Sequence, residues 1–188
     1  MELGIKKLNR SNKFALIAIV TFSVFTLVLQ FYTIRFTSSK TDCFPYKAWF
    51  IVKRDRDVHV GDFIVFKTPP KSMYVPAHKT WIKKVLAGEG TTISVNPAKP
   101  GETAPVLTNG VEAKLPVRAY VTVENKQIKE TFRAFALDTR RRPMPITESR
   151  TIPAGYYYAY SPNPRSYDSR YWGLISKDEI QGKAYPLF

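Results

Sequence analysis

The sequence predicts a mostly β domain carried behind one N-terminal transmembrane helix. Three observations lead there. Residues 14–34, FALIAIVTFSVFTLVLQFYTI, contain no charged side chain. The 188 residues include 14 prolines against 9 glycines, and many Tyr, Phe, Val and Ile, a balance that favours strands and turns over helices. After the first run, apolar residues come in short stretches between turn signals.

The first run suits a membrane. As a helix it is about 31 Å long, close to a bilayer core of about 30 Å. Its polar residues are Thr21, Ser23, Thr26, Gln30 and Thr33, and their hydroxyls can bond back to helix carbonyls; Tyr32 stands where an interfacial aromatic belongs. Lys6, Lys7, Arg10 and Lys13 precede it, with Glu2 the one acid. That asymmetry predicts a cytoplasmic tail over 1–13, a span over 14–34 and a domain over 35–188 on the outer side, periplasmic in a Gram-negative cell. A cleaved signal peptide is the alternative. Its apolar core would be about 7–15 residues long and followed by small residues, and RFTSSK is a poor match.

Along the exported part, WFIV and FIVF flank the polar turn DRDVHVGD, which reads as two strands. Residues 67–80 are Pro-rich and irregular. Residues 80–95 read as strand, Gly-rich turn and strand. Residues 96–150 change character: NPAKPGETAP is loop-like, 118–138 mix apolar and polar residues without a helical stripe, and TRRRPMPITESR is basic. They read as an inserted smaller lobe. Residues 151–164 give a turn, an aromatic strand and a turn. Such strands must be closed or sandwiched to hide their edges.

The net charge of +14 directs the protein toward acidic surfaces. The only cysteine is Cys43, so no internal disulfide framework exists. His59 and His78 lie in polar loop-like segments and read as solvated, and no cluster of Cys, His and carboxylates has metal spacing. A hydrolase here would need another base. Lysine serves only where burial favours its neutral form. In TWIKKVLAG, strand alternation turns Lys83 and Lys84 to opposite faces, so one of them can be interior.

GDFIVFK (61–67), WIKKVLAGEG (81–90), IPAGYYYAYSPN (152–163), SYDSRYWG (166–173) and GLISKDEIQGKA (173–184) resemble, in order, the conserved boxes of type I signal peptidases. The short tail, single anchor and small outer domain resemble the TraF-type enzymes of conjugative transfer systems. The resemblance covers most of 43–95 and 151–188, not 96–150. It implies a signal-peptidase-like β catalytic core without cofactors and a Ser–Lys dyad. Its lysine maps to Lys83. Its nucleophile maps to Cys43 in TDCFPYK, a cysteine where the family has serine.

Three readings follow: an active Cys–Lys dyad, a non-catalytic scaffold relative, or Ser38 or Ser39 as nucleophile. A thiol ionises far more readily than a serine hydroxyl, and retention of the lysine favours the first. The resemblance also implies that Ser166 holds the lysine amine, that Asp168 and Arg170 brace the site, and that the Cys43 backbone N–H, with Thr41, forms the oxyanion hole. SPN (161–163) departs from the family's Gly-Asp-Asn. The expected substrate is a membrane-inserted precursor, a pilin or another exported protein, cut or joined into a ring. Membrane lipid is the second expected partner. Nucleic acid is not expected, for no reading motif accompanies the charge.

Overall fold

The computed structural model describes residues 9–36, 43–68, 74, 78–108 and 111–188. The apolar run forms helix α1, Arg10–Phe31, with Asn9 as its cap: the Asn9 side chain accepts from the Ser11 N–H at 3.0 Å. No residue of α1 is buried, and it is long and apolar enough to cross a membrane. The helix begins before residue 14 and ends before residue 34. At Tyr32 the chain passes directly into strand β1, Tyr32–Phe36. The aromatic and β-branched residues there pair antiparallel with β2, Ala48–Lys53, from Tyr32↔Val52 to Phe36↔Ala48. Lys53 Nζ donates to the Leu29 carbonyl at 2.7 Å, which serves one of the open carbonyls at the helix end. The Arg54 guanidinium lies 5.5 Å from the Phe31 ring centroid.

The chain continues through β3 (Phe63–Lys67), β4 (Thr80–Ala87), β5 (Thr92–Pro97), β6 (Thr103–Thr108), β7 (Val111–Glu124) and β8 (Lys129–Phe135). It ends with β9 (Arg150–Thr151), β10 (Tyr156–Tyr160), the single turn α2 (Ser169–Trp172), β11 (Ile175–Ser176) and β12 (Ile180–Pro186). The fold is mostly β, in two sheets. One has seven strands in the order β1-β2-β12-β3-β4-β10-β11, and the other has five, β6-β7-β5-β9 with β8 also paired to β7.

β2 and β3 are strands, as the sequence predicts, but they do not pair with each other. β12 lies between them, antiparallel to both. The approach is closest at Gly182, where a Cβ would stand 2.2 Å from the Val52 carbonyl oxygen. Only glycine fits there. Gly182→Ala is expected to cost about 1–3 kcal/mol through backbone displacement, read as a lower midpoint in denaturant unfolding.

The polar turn between β2 and β3 is tied to β12. Asp62 accepts from the His59 N–H at 2.9 Å and pairs with Lys183 Nζ at 2.9 Å. Burial pushes the Asp62 carboxyl up, but the Lys183 hydrogen bond and the His59 N–H outweigh it, so its pKa falls below 3.8. A carboxylate depressed in the folded state stabilises above its unfolded pKa, and that contribution fades as pH falls through the folded value. Asp62→Asn is therefore expected to destabilise at pH 7 and to converge with wild type once the pH falls below the depressed folded pKa of Asp62, which unfolding midpoints against pH will check.

After β4, the Gly88–Gly90 turn carries the chain into the second sheet; Gly90 has a φ of +77°. β5 thus belongs with the lobe that the sequence assigns to 96–150. In β7, buried and less buried positions alternate from Leu115 to Val123. The two sheets share a core: Ile93, Val121, Val123 and Ala134 pack with Ala87, Tyr158 and Tyr171. The Phe132 and Tyr160 rings meet across this join in a tilted contact, centroids 4.2 Å apart.

Candidate active site

The site lies where β4, the segment before β2 and the loop after β10 meet. On β4, Lys83 is 3% exposed while Lys84 faces solvent, as the alternation requires. Cys43 precedes a wedge of aromatic side chains. Phe44 packs edge-on against Trp49 at 5.9 Å and Phe63 at 5.1 Å, and Tyr46 against Trp49 at 5.2 Å. These contacts fix the backbone next to the thiol. The Ser161 hydroxyl donates to the Cys43 carbonyl at 2.7 Å, which holds the segment from the other side.

Cys43 Sγ is 3.7 Å from Lys83 Nζ and 3.9 Å from Ser166 Oγ. Lys83 Nζ donates to Ser166 Oγ, closing a triangle of three side chains. Among the described residues, no carboxylate pairs with Lys83. Its amine is 5.3 Å from the Trp81 ring centroid. A buried amine beside the only thiol can move a proton to and from sulfur, and Ser166 limits the positions the amine can take.

Asp168 and Arg170 stand behind Ser166, with side chains 0% and 3% exposed. Their contact is a planar fork: Arg170 Nε to Asp168 Oδ1 at 2.8 Å and Nη2 to Oδ2 at 2.9 Å. Arg170 also donates to the carbonyls of Ser166 (3.1 Å), Asn163 (3.2 Å) and Arg133 (3.2 Å). It therefore sets the loop that carries Ser166 against the second sheet. Burial pulls the Arg170 pKa down, but the Asp168 charge and hydrogen bond overcome this and raise it. Asp168 caps α2, accepting from the Arg170 N–H at 3.2 Å. The Tyr171 hydroxyl accepts from the Phe135 N–H at 3.1 Å. Burial, then the Asp168 charge, raises the Tyr158 phenol well above its ordinary value, so it remains neutral.

The structure thus brings together Cys43, Lys83, Ser166, Asp168 and Arg170. Thr41, Ser38 and Ser39 lie outside the described residues. His59 and His78 are exposed and do not line the cleft. The sequence alone does not single out Ser161. Its signal was present, since it opens the SPN triplet in place of the family's Gly-Asp-Asn, but that triplet reads only as a departure. The three side chains open into a cleft of about 790 Å³ with Trp49, Ile51 and Ile82 on its apolar wall. Among the described residues, no group of three His, Cys, Asp or Glu is placed to hold a metal ion.

Residues 8–188 match the family described as signal peptidase, peptidase S26. The chain belongs to that family. The probable conjugal transfer protein TraF of Sinorhizobium fredii is 31% identical over 159 residues, which cover 81% of this chain and 74% of that protein. The conjugal transfer protein TraF of Agrobacterium fabrum is 24% identical over 147 residues, 77% of each chain. As a peptidase S26 member, the chain is a signal peptidase-like hydrolase. Ser166→Ala in this member is expected to lower kcat about 10²-fold with little change in KM, since it frees the lysine amine without removing it. Steady-state kinetics on a cleaved peptide will separate the two.

Proposed function

We propose that this chain is a membrane-anchored signal peptidase of a conjugative transfer system that uses Cys43 as nucleophile and Lys83 as general base. Its substrate is an exported or pilin precursor held in the membrane. The mutual contact of Cys43, Lys83 and Ser166 carries the reading. The conjugal transfer relatives support the setting.

Lys83 accepts the thiol proton, and the thiolate attacks the scissile carbonyl carbon. The Cys43 backbone N–H, with Thr41, donates to the developing oxyanion. The carbon–nitrogen bond breaks, the lysine ammonium returns a proton to the leaving amine, and a thioester remains. Water then attacks the thioester with Lys83 again taking a proton, or an amine of the precursor attacks and closes a ring. Thioesters yield readily to amines, which favours transpeptidation as the second outcome.

Helix α1 anchors the protein in the inner membrane. Lys6, Lys7, Arg10 and Lys13 keep the N-terminus cytoplasmic, so the site works in the periplasm. Asp168 and Arg170 position the Ser166 loop.

Co-expression of candidate precursors with wild type and with Cys43→Ala tests the reading. Wild type is expected to shorten one of them and Cys43→Ala to leave it full length. Equal processing by both would reject it and favour a scaffold with a peptidase fold. The mass of the mature product decides the second step, because a cut chain is heavier than a ring by one water.

A further inference from the structure

The cleft around Cys43 carries more positive charge than proton transfer uses. Besides Lys83, its described lining includes Arg35, Lys79, Arg140, Arg142 and Arg165, against the single carboxylate of Asp138. That carboxylate is engaged. Asp138 Oδ2 accepts from Arg142 Nε at 2.7 Å and Nη2 at 2.6 Å. Its Oδ1 accepts the backbone N–H groups of Arg140 and Arg142, both at 2.9 Å. Burial pushes its carboxyl up, but these bonds hold it below the usual aspartate value, so it is ionised and pairs Arg142 alone. Arg35, Lys79, Arg140 and Arg165 meet no carboxylate among the described residues.

Two of these cations sit on loops that line the cleft, and one of them adjoins a reacting group in sequence. Arg165 directly precedes Ser166, and its N–H is fixed by Asn163 Oδ1 at 2.8 Å. Its Nη1 makes one long contact, 3.3 Å to the Leu107 carbonyl, and its Nε is buried without a hydrogen-bond partner. A buried donor left unmatched costs about 1–3 kcal/mol. A guanidinium offers its donors in a planar fork that suits a carboxylate. Arg140 stands at the tip of the turn that Asp138 organises, beside Arg141 with a φ of +62°. Both share the cleft with the apolar wall of Trp49 and Ile51, an arrangement that fits a peptide with mixed apolar and acidic residues.

We propose that the cleft selects precursor segments carrying Asp or Glu beside the scissile bond, with Arg165 and Arg140 as specificity-determining residues. This rests on the peptidase reading above.

The test uses the full chain in neutral phosphatidylcholine nanodiscs, with Cys43→Ala so that binding is read apart from chemistry. Three fluorescent peptides share one small-residue core and carry paired flanking Asp, Asn or Lys. The Asp peptide is expected to bind about tenfold more tightly than the Asn peptide, and the Lys peptide most weakly. The gap should shrink severalfold in about 0.5 M salt. Arg165→Glu with Arg140→Glu should reverse the order, and Arg165→Lys should preserve it. Each ratio is taken to the Asn peptide, so loss of folded protein cancels.

Equal affinities for the three peptides would overturn the proposal. So would glutamate variants that keep the wild-type order while losing association with phosphatidylglycerol vesicles, which would assign the cations to lipid. Wild type with Cys43 intact reports separately. An acidic preference in binding with no cleavage of any peptide would reject the peptidase reading and leave the charge preference standing.

Discussion

Cys43→Ala and Lys83→Ala are each expected to abolish precursor processing, with kcat falling about 10³–10⁶-fold and KM nearly unchanged. The 3.7 Å contact between Sγ and Nζ makes the two side chains one unit. Losses should therefore not add, and the double variant should be no slower than the worse single variant. Cys43→Ser should fall between wild type and Cys43→Ala. It keeps a nucleophilic atom but asks Lys83 to deprotonate a much weaker acid. Single-turnover cleavage of a precursor peptide measures all four. Ordinary processing by Lys83→Ala would remove the base from the mechanism whatever Cys43 does.

Asp168→Asn is expected to lower the stability of the folded domain by about 3–5 kcal/mol, a large share of the roughly 5–15 kcal/mol available to a domain. The reason is the partner left behind. Arg170 is buried and would keep its charge with only carbonyls and the Tyr160 and Tyr171 rings for company. Replacing both residues by apolar ones of similar size should restore much of the stability. It should not restore activity, because the Ser166 carbonyl would lose the donor that holds it at 3.1 Å. Denaturant unfolding beside peptide cleavage separates the two effects. A loss below about 1 kcal/mol in Asp168→Asn would show that the fork is not an isolated buried pair.

Parts of this arrangement are legible because they depend on near neighbours. The alternation in WIKKV is enough to separate Lys83 from Lys84. The order of the boxes brings Cys43, Lys83 and Ser166 into one expectation, and the geometry has them in contact. Other parts depend on distant segments. Nothing near β2 or β3 announces that β12 enters between them, since that pairing is decided by strand edges and by the bare backbone of Gly182. The end of α1 is hidden for a related reason. Tyr32, Thr33 and Ile34 suit a lipid-facing helix and a strand equally well, and β2 decides for the strand. Ser161 is hardest to read, because its hydroxyl matters through a carbonyl 118 residues earlier.

The direct passage from α1 into β1 also has a consequence for where cuts fall. No linker separates the last helical residue, Phe31, from Tyr32, and Lys53 and Arg54 clasp the junction. In the proposed anchored peptidase, this joint would set the depth at which the site meets a precursor, as a ruler measuring from the bilayer.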